Sequence, residues 1–239
     1  MRTERLIREQ NYLDRKLPSS LSYHTAVVNG TEQQLAILDS DLLDVKTVYS
    51  LPGETIQGGS LVEWEENMWL VFSEDVNREV YTKAKMQQCN YLLKWVVEEN
   101  DIPIIIERWC YVSDGTKYLT GETPNLHTKN AMTLGDTRIA LMIARDRYTV
   151  CFNRKSRFLI DDYDSPTALA YELTKPFKLG GVFNNRGVMT FVLTEGNTTD
   201  YDYIELRVAD YYKYFNPDGT PIDKSSSGVP PVGGKKVWL

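Results

Sequence analysis

Two short apolar runs, Gly59-Ser60-Leu61-Val62-Glu63-Trp64 and Met68-Trp69-Leu70-Val71-Phe72, flank the polar residues Glu65-Glu66-Asn67. Runs of β-branched and aromatic residues around a short polar break predict two strands joined by a tight hairpin. The whole of residues 52–114 has this character, and residues 104–112 within it predict a central strand. This region contains no catalytic constellation, which is typical of a building block rather than an enzyme.

Upstream of this region, the pattern predicts further strands. Residues 23–28 and 34–38 flank Asn29-Gly30, a hairpin signal for which we expect a loop longer than two residues. Residues 44–51 predict a third strand. Residues 86–97 fit a long strand or a short helix, because their periodicity does not distinguish the two.

Downstream, short segments with alternating apolar and polar residues predict more strands. Leu169, Tyr171 and Leu173 are expected on one face of their strand. Several short alternating strands separated by turns indicate a sandwich or barrel. The predicted strands in this half are residues 138–143, 148–152, 167–173, 189–194 and 203–208.

The two ends of the chain differ from its β-rich body. Residues 1–17 are the one clear helical segment, with a thin apolar stripe that requires a docking partner. The predicted fold is therefore mainly β, with β-barrel or β-sandwich modules, an N-terminal helix and an extended C-terminal tail. The predicted domains are an N-terminal helical arm (1–20), a first β-barrel module (21–114), a long loop (115–130), a second β module (131–215) and the tail (216–239).

Composition and charge exclude several classes of protein. The chain has 239 residues, of which 42% are hydrophobic, so it is long enough for one large or two small packed domains. Its net charge of -6 argues against a protein that grips nucleic acid through a basic face, but it suits a surface that lets DNA pass. No apolar run approaches the length of a membrane span, and the N-terminus does not resemble a signal peptide.

Residues with reactive side chains do not form a recognisable active site. The three cysteines have no paired spacing, which predicts free, buried thiols in a reducing cytosol. His24 and His127 have no metal-ligating neighbours at the required spacing. The cluster Asp161-Asp162-Tyr163-Asp164 fits a solvated turn better than a cation site. We therefore predict no catalytic residue, no metal and no cofactor.

Four tryptophans, which could form a stacking platform for sugars or bases, fall within predicted strands. That placement favours the hydrophobic core over an exposed platform. The residues are Trp64, Trp69, Trp95 and Trp109.

The hairpin sequence continues into Val80-Tyr81-Thr82, Lys85-Met86, Cys89-Asn90 and Leu93-Lys94-Trp95. Together these motifs resemble a group of neck proteins of tailed bacteriophages, known as head-closure, head–tail connector or stopper proteins. The resemblance is strongest over residues 53–114. Two positions depart from the family pattern, since Ser60 stands where an acidic residue is usual and Ala84 where glycine is usual.

The resemblance implies a β-barrel subunit of a ring under the portal or its head–tail adaptor, in the virion neck between capsid and tail. Such a ring closes the head, helps to retain DNA and provides the platform for tail attachment. The expected homo-oligomer is twelve-fold, with six-fold symmetry as the alternative. The expected partners are the portal or adaptor, tail terminator or tail proteins, and passing double-stranded DNA that is bound without sequence specificity. Assembly would take place in the host cytoplasm, without a membrane partner.

A ring subunit needs extensions that reach its neighbours, because head-to-tail contacts close a ring. We expect subunit or partner contacts from the two ends of the chain, and a channel- or partner-facing loop at residues 113–130. The expected contact residues are Arg5, Arg8, Tyr12, Trp238 and Leu239.

Three alternatives remain open. The first is a tail-completion, tail-tube or baseplate protein of the same virion. The second is a sugar-binding β-sandwich module that uses exposed aromatic residues. The third is a hydrolase built on Asp161, Asp162 and Asp164.

Overall fold

A computed structural model of the chain describes residues 2–42, 44–52, 54–75, 80–114, 138–161, 164–175, 178 and 181–222. Within these ranges the protein is mainly β, with a short N-terminal helix, as the sequence predicts. The predicted loop at 115–130, nearly all of the segment 113–130, His127, and the tail residues Trp238 and Leu239 lie outside the described residues.

The chain forms one α-helix, thirteen strands and three short 3-10 turns within the described ranges. The elements are, in chain order, α1 (Arg2–Lys16), a 3-10 turn (Leu17–Ser19), β1 (Tyr23–Val28), β2 (Thr31–Asp39), β3 (Val45–Ser50), β4 (Leu61–Trp64), β5 (Asn67–Asp75), β6 (Lys83–Gln88), β7 (Tyr91–Glu99), β8 (Ile102–Asp114), β9 (Arg138–Ala144), a 3-10 turn (Thr149–Cys151), β10 (Arg157–Leu159), β11 (Ala170–Lys175), β12 (Val182–Phe183), β13 (Arg186–Gly196) and a 3-10 turn (Tyr211–Lys213).

The first six strands close an antiparallel barrel in the order β1-β2-β3-β6-β5-β4, and the pairing of Val28 with Val62 joins β1 to β4. Its interior is filled by small and medium apolar side chains, including Leu35, Val48 and Met86. Two hairpins of this barrel have two-residue turns. Asn29-Gly30 and Glu65-Glu66 both have positive φ angles, which match the right-handed twist of the flanking strands. The expected longer loop at Asn29-Gly30 is therefore wrong.

The remaining strands form a second antiparallel sheet in the order β10-β11-β13-β9-β8-β7, with β12 paired to β13. This sheet curls until its two end strands approach each other, where the Tyr91 hydroxyl donates a hydrogen bond of 2.9 Å to the Leu159 carbonyl oxygen. A core that includes Phe158, Phe191 and Leu193 fills its concave side. The residues 104–112, predicted as a central strand, lie in β8, which has a partner on both sides.

The two sheets divide the chain at Cys89-Asn90, upstream of the predicted module boundary at residue 114. Residues 86–97 form neither one long strand nor a helix, since β6 ends at Gln88 and β7 begins at Tyr91. The local pattern cannot indicate this division, because a strand belongs to the sheet in which it finds its partners.

Two predicted strands are wrong. Residues 148–152 contain a 3-10 turn, because the Asp146 carboxylate accepts hydrogen bonds from the backbone N–H groups of Tyr148 and Thr149. Residues 203–208 form a turn with a single bridge between Tyr203 and Val208. In the predicted strand 167–173, Leu169 is exposed while Tyr171 and Leu173 are buried, since β11 begins only at Ala170.

Candidate functional site

The helix α1 presents the predicted contact residues Arg5, Arg8 and Tyr12 to solvent. These positions follow one another at intervals of three and four residues, which places them on one side of an α-helix. Ile7 and Tyr12 are 53% and 62% exposed, and Leu21, which follows the arm, is fully exposed. The arm thus combines positive charge with apolar surface that the described part of the chain leaves exposed.

Hydrogen bonds order the short stretch of chain that leads from the helix α1 into the barrel. The Ser19 hydroxyl donates to the Lys16 carbonyl oxygen at 2.9 Å and so closes the end of the helix. The backbone N–H of Tyr23 donates to the Ser20 carbonyl oxygen at 3.1 Å, at the first residue of β1. The helix therefore ends shortly before the first strand of the barrel begins, and these hydrogen bonds order the connection between them.

A hydrophobic junction connects the barrel to the second sheet. Leu70 from the barrel, Cys89 from the connection and Val188 from β13 are all buried there. Partly buried apolar side chains from both sheets surround them, namely Leu61, Met68, Phe72, Trp109, Met142 and Ala144. Five of these residues come from the hairpin and the segment that follows it, namely Leu61, Met68, Leu70, Phe72 and Cys89.

Two glycines bring the sheets into backbone contact at the junction. A Cβ atom on Gly59, which has φ +86°, would lie 2.5 Å from the Gly187 carbonyl oxygen. A Cβ atom on Gly187, with φ +119°, would lie 2.1 Å from the Gly181 carbonyl oxygen. Both positions require glycine, because a side chain there would have neither space nor a favourable backbone conformation.

The connection Cys89-Asn90 is hydrogen-bonded to both sheets. The Cys89 N–H donates to the Met68 carbonyl oxygen of the barrel at 2.8 Å. The Asn90 side chain exchanges two hydrogen bonds with the backbone of Val112 in the second sheet, at 2.7 and 2.8 Å. The link between the two units is therefore short and held on both sides.

A buried ionic cluster holds the segment 197–215 against the second sheet. Both terminal nitrogens of Arg157 donate to the Asp202 carboxylate, at 3.0 and 2.9 Å, and one also donates to Asp210 at 2.7 Å. The Asp202 side chain is completely buried, and the Arg157 side chain is 16% exposed. Such a bidentate pair is geometrically specific as well as strong.

The surroundings of these groups favour their charged forms. Burial alone would raise the pKa of Asp202, but hydrogen bonds from Arg157 and from backbone N–H groups of Asp210 and Thr199 outweigh burial and lower it. Burial would likewise lower the pKa of Arg157, but its two carboxylate partners raise it. Asp202 and Arg157 are therefore both charged at neutral pH.

A cleft of about 350 Å³ lies beside this cluster. Its walls come from β7, from the residues between Tyr148 and Arg157, and from the segment around Asp210 and Tyr214. Aromatic residues line part of these walls, the polar and charged side chains of Lys155, Arg157 and Asp210 line another part, and the exposed thiol of Cys151 is among the lining groups.

Among the described residues, no three His, Cys, Asp or Glu side chains are grouped to hold a metal ion. The acidic cluster is only partly described, with Asp161 half-buried, Asp164 exposed, and Asp162 and Tyr163 outside the described residues. His24 lies in β1 with its ring 5.1 Å from that of Trp64.

The four tryptophans that the sequence places in strands pack mostly in the two hydrophobic cores. Trp69 and Trp95 are buried, which confirms the prediction for these two, while Trp64 and Trp109 are partly buried. They are divided between the barrel, the second sheet and the junction, so they do not form one stacking platform.

The prediction of buried thiols is right for two cysteines and wrong for one. Cys89 and Cys110 are buried, and desolvation raises the pKa of the Cys89 thiol to about 12. Cys151 is exposed, because residues 149–151 form a surface turn instead of the predicted strand.

Sequence reasoning missed the cluster of Arg157, Asp202 and Asp210 and the cleft beside it. No local signal marks these three residues, because they lie far apart in the chain and meet only after the second sheet has formed. The closeness of Gly59 to Gly187 likewise has no local signal, because it depends on the contact between the sheets.

No helix in the described part of the chain is long and apolar enough to cross a membrane. Comparison of the chain with protein-family models, curated protein sequences and solved structures finds no match in any of the three.

Proposed function

We propose that this chain is a structural subunit of the neck of a tailed-bacteriophage virion, where it forms a ring between the portal or adaptor and the tail. The ring closes the head, helps to retain DNA and carries the tail. It acts by assembly and not by catalysis.

The observation that carries the proposal is the exposed helical arm. A subunit of a closed ring must present a surface to the next copy that its own body does not cover. Arg5, Arg8 and Tyr12 on α1 supply such a surface, with Ile7 as exposed apolar area. The net charge of -6 makes a basic helix complementary to an acidic neighbouring copy.

The two-sheet body supports the same proposal. A ring that withstands the pressure of packaged DNA needs subunits that do not bend between their units. The junction around Leu70 and Val188 and the close contact of Gly59 with Gly187 supply this rigidity. The residues that resemble phage neck proteins lie largely in these strands.

The testing experiment is native mass spectrometry of the purified chain, alone and mixed with candidate portal and adaptor complexes. We expect a ring bound to the portal or adaptor, with twelve copies or six. A chain that remains monomeric and has no affinity for either complex would overturn the neck proposal. Binding to isolated tails instead would support the tail-completion, tail-tube or baseplate position.

A further inference from the structure

The aromatic cleft lies at the open seam of the second sheet. On one side is β7, which pairs with β8 and, among the described residues, has no strand ladder on its other side. On the other side are the residues that lead into β10. Because the sheet is not closed by backbone pairing here, side chains of both margins line the opening.

Four aromatic side chains contribute to the walls of this cleft. Trp95 from β7 and Phe152 from the turn after β9 are buried, whereas Tyr148 from the same turn and Tyr214 from the C-terminal segment are partly exposed. The volume of about 350 Å³ is at the lower end of the range of roughly 300–1,000 Å³ that is usual for ligand pockets. It can therefore hold a few side chains of an extended segment, but not a helix.

The described part of the chain ends at this cleft. The backbone N–H of Ile222 donates a hydrogen bond of 2.8 Å to the carbonyl oxygen of Tyr214, one of the lining residues. The sequence then continues for residues 223–239. These residues consequently depart from a point beside the cleft wall.

The continuing sequence contains a segment whose chemistry fits the cleft. Val229-Pro230-Pro231-Val232 has two adjacent prolines between two valines and no charge. Adjacent prolines favour the extended polyproline II conformation, so such a segment loses little entropy when it binds. Grooves lined by aromatic rings are the usual receptors for proline-rich segments.

We propose that the aromatic cleft is a proline-segment binding site and that its occupant is Val229-Pro230-Pro231-Val232 of the same chain. Val229 follows Ile222 by seven positions in the chain, and an extended chain of that length spans roughly 23 Å. This reach is enough for a segment that starts beside Tyr214. The covalent link also provides an effective concentration in the millimolar range, which a segment from another copy does not have.

The docking is a property of the single chain and does not depend on its place in a phage neck. It would cover the seam between β7 and β10 and shield the edge of β7 from pairing with other chains. A failure of portal binding would leave this proposal intact, and a failure of docking would leave the neck proposal intact.

Cys151, exposed in the cleft, provides the first test. We would replace Gly233→Cys, next to the proline segment, and expose the full-length chain to oxidised glutathione. We expect an intramolecular disulfide between Cys151 and the introduced thiol. Adding the double substitution Pro230→Ala and Pro231→Ala should slow its formation about tenfold, which corresponds to a docking free energy of ~1.4 kcal/mol.

The matched control is Pro217→Ala in the same background, because Pro217 is exposed in a turn well before the proline segment. This control should leave the rate of disulfide formation unchanged. Cys89 and Cys110 are buried and should not compete for the new thiol. Equal rates with and without the proline pair, or a disulfide that forms only between two chains, would overturn the proposal.

A second measurement needs no introduced cysteine. The rate at which Cys151 reacts with a thiol reagent in the otherwise unaltered chain should rise several-fold when Pro230 and Pro231 are both replaced by alanine. Pro217→Ala should not change that rate. An unchanged reactivity of Cys151 in the double variant would contradict occupation of the cleft.

Discussion

Gly59 and Gly187 meet across the junction so closely that a methyl group on Gly59 would lie 2.5 Å from the Gly187 carbonyl oxygen. Gly59 precedes β4 of the barrel and Gly187 lies in β13 of the second sheet. The contact is between backbones, so no change of side-chain rotamer can relieve a clash there. The packing of the barrel against the second sheet therefore depends on two residues that have no side chain.

We expect Gly59→Ala to lower the free energy of unfolding by at least ~2 kcal/mol, since it combines a positive φ with a backbone clash. Gly30→Ala is the matched control, because Gly30 has φ +82° but nothing within 4 Å of the added Cβ atom. That control should cost only about 1 kcal/mol. Urea unfolding of both variants measures the difference, and equal losses would show that the close contact adds no strain.

The buried ion cluster should be sensitive to the loss of its cation. Arg157→Met leaves the fully buried Asp202 carboxylate without its partner, and we expect a loss of roughly 3 kcal/mol in the free energy of unfolding. Lys46→Met is the control, because it breaks an ion pair with Asp39, whose side chain is 89% exposed. That loss should stay below about 1 kcal/mol. Comparable losses for the two variants would contradict a structural role for the cluster.

The same cluster predicts how stability depends on pH. The pKa of Asp202 is lower in the folded protein than in the unfolded chain, so its contribution is present above the unfolded pKa of about 3.9. The contribution is lost as the pH falls through the folded pKa, because the unfolded chain then binds more protons. The pKa of Asp146 is lowered as well: burial would raise it, but backbone N–H groups and Arg108 outweigh that effect.

Unfolding measured between about pH 5 and pH 2 should therefore show a free energy that falls as the pH falls. Asp202→Asn should reduce this slope by up to ~1.4 kcal/mol per pH unit, the value for one proton. Identical slopes for the unaltered chain and Asp202→Asn would show that the carboxylate does not contribute in this range.

The exposed arm gives a prediction for assembly. Replacing Arg5→Glu and Arg8→Glu together should weaken ring formation or portal binding at least tenfold, roughly 1.4 kcal/mol, because the basic face becomes acidic. The free energy of unfolding should remain nearly unchanged, since both residues are exposed. Replacing Arg154→Glu and Lys155→Glu together, at two other exposed positions, changes the net charge by the same amount and is the control, which should assemble normally. Native mass spectrometry measures the assembly of the arm variant and of the control. Equal assembly of all variants would show that the arm is not part of the interface.

Local sequence patterns predicted where both hairpins lie, although not the length of the turn at Asn29-Gly30, because the determinants of a hairpin are local. At Asn29-Gly30 and Glu65-Glu66 the turn residues accept positive φ angles, and the flanking apolar residues face the barrel interior. The same reasoning failed at residues 203–208. Alternation there matches a strand, but the Arg207 guanidinium donates to the Ser165 carbonyl oxygen at 2.6 Å, and the segment turns instead of pairing.

The error at residues 148–152 had a recognisable signal. Asp146 precedes Thr149 by three residues, and its carboxylate accepts N–H bonds that begin a turn, as Asp commonly does. The Thr149 hydroxyl donates to the Ala144 carbonyl oxygen at 3.0 Å and completes the motif. By contrast, nothing in the sequence near Arg157 indicates that Asp202 will become its partner, because that contact depends on the finished sheet.

The two-residue connection Cys89-Asn90 determines how the molecule responds to force. A long linker would let the barrel and the second sheet move independently of each other. Here the link is short, and hydrogen bonds join it to Met68 on one side and Val112 on the other. Force applied to the N-terminal arm is therefore transmitted through the barrel to the second sheet without bending at the connection. We expect the barrel and the second sheet to unfold under tension in one cooperative step.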